Sequence, residues 1–171
     1  MALTKVIGAG IGTTASLADS NMPAGSVLQT LYLANATTTA TTSTSFAGMG
    51  GSNLAITPSS SSNKILIQYN YHIYVINGDN NTWRGGLVRL MNITGDAVLQ
   101  TDTNYGVVLY SVDGGDRSMG YANGSFLHSP STTSAITYGL ECASALAGKS
   151  ATFNNTSYGR GGYITLQEIA V

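Results

Sequence analysis

Charge is scarce in this sequence. Asp, Glu, Lys and Arg make up 9% of it, about a third of the usual share. Seven basic residues, none clustered, stand against eight acidic ones, for a net charge of −1. Holding nucleic acid by its phosphates requires several cations on one face, so no nucleic-acid partner is expected. Cysteine is nearly absent: Cys142 stands alone, which rules out an intrachain disulfide and a cysteine-based zinc site. No apolar run approaches the roughly 18–20 residues of a membrane helix, so no such insertion is expected. Residues 2–12, ALTKVIGAGIG, are too short and too glycine-rich for a signal-peptide core.

Helical periodicity is missing as well, because β-branched residues and glycines interrupt every candidate. What remains is a period of two. In KILIQYNYHIYV, Ile65, Ile67, Tyr69, Tyr71, Ile73 and Val75 share one face, and Leu66, Gln68, Asn70, His72 and Tyr74 the other. That pattern predicts a long half-buried strand. Pro58 and Ser59–Ser62 before it end a short strand, LAIT, and form a turn. Alternation recurs over residues 26–34, 82–92, 97–100, 118–129, 135–145 and 161–171, with 118–129 read as a strand pair or one bent strand. Gly85-Gly86 marks a bulge or a close backbone contact. The Thr/Ser/Ala tract 37–44 suits a loop or an edge strand. Turn signals such as Asn77-Gly78-Asp79 and Asp113-Gly114-Gly115-Asp116 fall between these runs. The expected fold is all-β: an antiparallel β-sandwich or jelly roll over residues 25–171, preceded by an extended N-terminal arm, residues 1–24.

The residues that could carry chemistry are few. Gly8-Ala9-Gly10-Ile11-Gly12 has half of a dinucleotide fingerprint, but Thr13 stands in the wrong place and no strand–helix unit follows. His72 and His128 are the only histidines. Catalytic use would need a nucleophile or an acid held beside one of them; Ser125 lacks the flanking glycines of a nucleophile elbow, and both histidines read as hydrogen-bonded structural residues. Glu141 and Glu168 are the only glutamates. A glycosidase pair is possible by count alone, without the groove-lining aromatics such enzymes use. Asp113 and Asp116 lack a calcium-loop pattern. Cys142 reads as a small buried hydrophobe. No catalytic residue, cofactor or metal site is expected. Trp83, Tyr105, Tyr158 and Arg160, near Asn/Gly-rich loops, are the candidate receptor contacts, since aromatic and arginine side chains dominate binding hot spots.

The order of several segments carries a resemblance. MALTKVIGAGIG, NMPAGSVLQT, TSTSFAGMGGSNLAITPSSSSNKILI, LHSPSTTSAITYGLECAS and ITLQEIAV together look like a family of small bacteriophage virion proteins described as tail-fibre-like. The resemblance implies a non-enzymatic virion structural protein, made in the host cytoplasm, oligomeric and by expectation trimeric. It transfers no catalytic residue. Gln68, Asn70 and His72, on the polar face of the long strand, are the expected oligomer face, where sister copies would satisfy groups costly to bury alone. Leu3, Val6, Ile7 and Ile11 give the arm an apolar content expected to dock on other virion proteins. The leading expectation is a tail-fibre or tail-tip component adhering to a host surface, with a surface glycan as candidate receptor. A capsid decoration or head-fibre protein is the alternative, and a carbohydrate-active enzyme a more distant one.

Overall fold

The computed structural model describes residues 22–76, 82–101, 107–111, 117–155 and 161–171, with the side chains of 82, 101 and 107–111 excepted. Twelve strands are described: β1 (Val27–Asn35), β2 (Thr39–Thr41), β3 (Ala47–Gly48), β4 (Leu54–Ile56), β5 (Lys64–Ile76), β6 (Thr82–Asn92), β7 (Ala97–Thr101), β8 (Val107–Ser111), β9 (Arg117–His128), β10 (Ile136–Ser144), β11 (Ala151–Phe153) and β12 (Gly162–Ile169). There is no helix among the described residues. The strands form two antiparallel sheets, the sandwich that the alternating pattern demands.

Sheet A is organised by β5. Strand β9 runs along one whole side of it, from Ile65↔His128 to Ile76↔Arg117. On the other side β12 and β11 lie end to end, β12 against Lys64–Asn70 and β11 against Ile73–Val75. Strand β1 flanks β12, and β2 flanks β11. Sheet B is built on β10 and β6, paired from Tyr138↔Asn92 to Ser144↔Gly86. Strands β3 and β4 follow one side of β10, and β7 and β8 follow β6.

The core lies where the alternation places it. Ile65, Ile67, Tyr69, Tyr71, Ile73 and Val75 are all buried and meet Val88, Leu90, Tyr138, Leu140 and Cys142 of sheet B. Burying each such side chain contributes about 1.5–3 kcal/mol. Burial pushes the Cys142 thiol up to about 12, with the Glu141 charge adding to it, so this cysteine is an inert filler.

Two glycines set how closely the chains approach. A Cβ on Gly124 would stand 2.6 Å from the Tyr69 ring, which lies across it. A Cβ on Gly86 would stand 2.7 Å from Ile73 Cγ2 and 3.0 Å from the Phe153 ring, both on sheet A. Gly86 is thus a close sheet-to-sheet contact; the register shift in the β6–β7 ladder falls later, opposite Leu90 and Met91, where Leu99 of β7 is the extra residue. Residues 117–128 form one continuous strand rather than a pair, and part of the Thr tract becomes edge strand β2.

Candidate recognition face

The outer face of sheet A is broad and neutral. Register aligns its side chains in rows across four strands. One row runs Tyr32, Thr165, Gln68, Ser125; the next runs Ala34, Tyr163, Asn70, Asn123. Tyr32, Tyr163 and Tyr121 stand 62%, 38% and 42% exposed. Tyr32 and Tyr163 pack against each other, ring centroids 5.8 Å apart and tilted by 31°. The outward-facing charges described on these strands are Lys64, at the start of β5, and Arg117, at the start of β9. Since the two strands are antiparallel, the two cations mark opposite ends of the face.

The expected oligomer residues divide here. Gln68 is exposed and Asn70 half-buried, both on this face. His72 is 0% exposed. Its ring is met edge-on by Tyr121, its cross-strand partner, with centroids 5.6 Å apart. It is enclosed by its own chain and offers no surface to a sister copy. Of the expected receptor contacts, Trp83 is a half-buried residue of β6, while Tyr105, Tyr158 and Arg160 lie outside the described residues. So do the arm residues Leu3, Val6, Ile7 and Ile11, and Asp113 and Asp116.

The two glutamates do not form a pair. Glu141, on the outer face of sheet B, accepts a hydrogen bond from Arg89 Nε at 2.6 Å across the β10–β6 ladder. The Arg89 guanidinium also lies 4.5 Å over the Phe46 ring. Glu168 is on β12 of sheet A and is 1% exposed. Its Oε1 accepts from the Ser59 backbone N–H, the Ser59 hydroxyl and Asn63 Nδ2, each at 2.7 Å. Its Oε2 accepts from Gln29 Nε2 at 2.6 Å. Burial by itself would raise the Glu168 pKa, but the hydrogen bonds from Asn63, Gln29 and Ser59 outweigh it and hold the carboxyl below its ordinary value. The loop after Pro58 therefore cradles a carboxylate as well as turning the chain. Beside it a cavity of about 390 Å³ is lined by Ser59, Ser60, Ser62 and Asn63 with Ala170 and Val171.

His128 is structural. Its Nδ1 lies 2.7 Å from the Tyr138 hydroxyl, and the rings meet edge to face at 85°. Burial lowers the His128 pKa and pushes the Tyr138 phenol up to about 12. A neutral imidazole facing a neutral phenol follows. Tyr138→Phe is expected to lose about 1 kcal/mol at pH 7 in urea denaturation, with fold and oligomeric state unchanged. Among the described residues no group of three or more His, Cys, Asp or Glu is placed to hold a metal ion.

No protein-family model matches this chain, and no curated protein matches it. Solved structures show distant likeness. A chain of the T13 infectious bursal disease virus particle aligns over 81% of this chain and 30% of its own, at 10% identity and a TM-score of 0.43. A chain of T=1 particles derived from that virus aligns over 84% and 36%, at 10% identity and a TM-score of 0.38. Eiger TNF from S. frugiperda aligns over 81% and 93%, at 8% identity and a TM-score of 0.27. This chain spans about a third of those viral chains. Likeness at this level assigns neither family nor function.

Proposed function

We infer that this protein is a non-enzymatic structural component of a virus particle, a bacteriophage tail-fibre or tail-tip protein that adheres to a host surface. The observation that carries the reading is the broad face of sheet A, whose two central rows hold no charge, presented by a two-sheet scaffold. Aromatic rings and amides on a rigid surface suit adhesion. The order of sequence segments resembling tail-fibre-like proteins supports the same reading. Glu141 and Glu168 lie on different sheets, each already engaged by neighbours of its own, which speaks against these two acting together as a glycosidase pair. The working form is a homo-oligomer, with a trimer expected, and the arm is its link to other virion proteins.

Quantitative proteomics of purified particles tests this. A tail component is present in few copies and is labelled at the tail by antibody; a shell decoration is present in very many. Deleting residues 1–20 is expected to leave a folded oligomer that no longer enters particles. Truncated protein that still incorporates would refute the docking role of Leu3, Val6, Ile7 and Ile11, and absence of the full chain from particles would refute the whole reading.

A further inference from the structure

We propose that the outer face of sheet A is a binding site for a neutral, extended polysaccharide; the proposal rests on the adhesion reading and names its ligand class. Three features argue for it together. First, the exposed rings are spaced as separate platforms. Tyr163 stands level with Asn70 and Tyr121 level with His72, two strands away. With strands about 4.8 Å apart and about 3.4 Å per residue, that offset is about 12 Å. Tyr32 extends the line on the far side, in contact with Tyr163. Each ring can stack on the C–H face of a different sugar in one chain.

Second, the groups between and beside the rings are Gln68, Asn70, Asn123, Ser125 and Thr165. Amides and hydroxyls donate and accept at once, as a sugar hydroxyl does. Asn70 stands between Tyr163 and Asn123 in its row; the residue is half-buried, and its Oδ1 is enclosed with no hydrogen-bond partner among the described residues, so a sugar would meet the exposed part of this amide. Third, no charge lies within the two rows, so the rows themselves have nothing with which to pair the carboxylates or sulfates of an acidic glycan. Lys64 and Arg117 stand at opposite ends of the face.

A second copy of this chain is the competing occupant. The two central rows are less suited to that role: packing a sister copy on them would bury several amides that each need a partner, at about 1–3 kcal/mol for every one left unsatisfied. Stable interfaces place aliphatic and aromatic groups at their centre and polar groups at the rim. Here the polar groups lie in the middle, while Leu127 and Met119 lie toward the two ends of β9.

The test is native affinity electrophoresis of the full chain in gels containing soluble glucan, mannan or galactan, with polysialic acid as the charged counterpart, alongside light scattering for oligomeric state. Retardation by at least one neutral polymer is expected, and none by polysialic acid. Tyr163→Ala and Tyr32→Ala are each expected to weaken binding at least tenfold with oligomeric state unchanged; Gln68→Ala supplies a variant that leaves the rings intact. No retardation by any neutral polymer, retardation unaffected by these variants, or retardation by polysialic acid alone would overturn the proposal. Dissociation of the oligomer by Tyr163→Ala would assign the face to a sister copy. Sugar binding by a protein absent from particles would sink the virion reading and leave this site standing.

Discussion

Glu168→Ala is expected to lose about 3–5 kcal/mol of stability. The substitution removes one carboxylate and leaves the Ser59 N–H, the Ser59 hydroxyl, Asn63 Nδ2 and Gln29 Nε2 without their acceptor. Hydrogen bonds to a charged group are worth about 1.5–3 kcal/mol each, and some donors will find water or, for Gln29, the Thr57 carbonyl it already reaches at 2.9 Å. Glu168→Gln keeps an acceptor but sets an amide N–H against one of these donors, and about 1–2 kcal/mol should be lost. The effect carries a pH signature. The folded-state pKa lies below the ordinary carboxylate value, so the stabilisation is fully present above about 4.3. It fades as pH falls through the folded-state value. Urea titrations should show the gap between wild type and Glu168→Ala wide at pH 7 and narrower at pH 3. A gap that is the same at both would mean that the loss comes from packing and not from the ionised carboxylate.

Phe153→Ala is the second change with a large effect. The ring is fully buried on three-residue β11 and fills the space above Gly86. Truncating a buried phenylalanine costs about 3–5 kcal/mol, a transfer loss plus a cavity loss. The reverse change, Gly86→Val, should cost about 1–3 kcal/mol by overpacking, because its Cβ would press on Ile73 and Phe153. The two share one volume and should not add. In the double variant the valine occupies part of the space the ring left, and a coupling of about 1 kcal/mol or more in the restoring direction is expected. Thermal or chemical unfolding of the four proteins measures it, and strict additivity would show that the sheets do not meet at Gly86 as described.

The fold was legible wherever burial alternates over many residues. Strand β5 reads directly from its apolar face, and the bounds of β6 match the alternation of TWRGGLVRLMN. Strands of two or three residues carry no period: β3 and β11 exist because β10, and β5 with β2, offer them a ladder. The site was less legible. Gln68 and Asn70 are placed on the outer face by parity alone, but Tyr32, Tyr121 and Tyr163 join them through pairing between segments far apart in sequence. The burial of His72 depends on its own surroundings, including Tyr121, and its place on a polar strand face pointed the other way. The Glu168 cradle gathers residues more than a hundred positions away. One local signal was present: Glu168 shares its parity with Ile164 and Leu166, and a carboxylate on a core-facing position requires donors.

The adjacency of β1 and β12 has a mechanical consequence. Val27 opposes Ile169, and Gly25 and Ser26 exchange backbone hydrogen bonds with Ala170 at the same end of the sheet. Tension applied between these two segments would open the ladder one bond at a time, like a zip. Tension entering ahead of β1 and leaving through a ligand held on the sheet would instead slide β1 along β12, stretching many bonds simultaneously, so the same pair of strands resists far greater force in that direction.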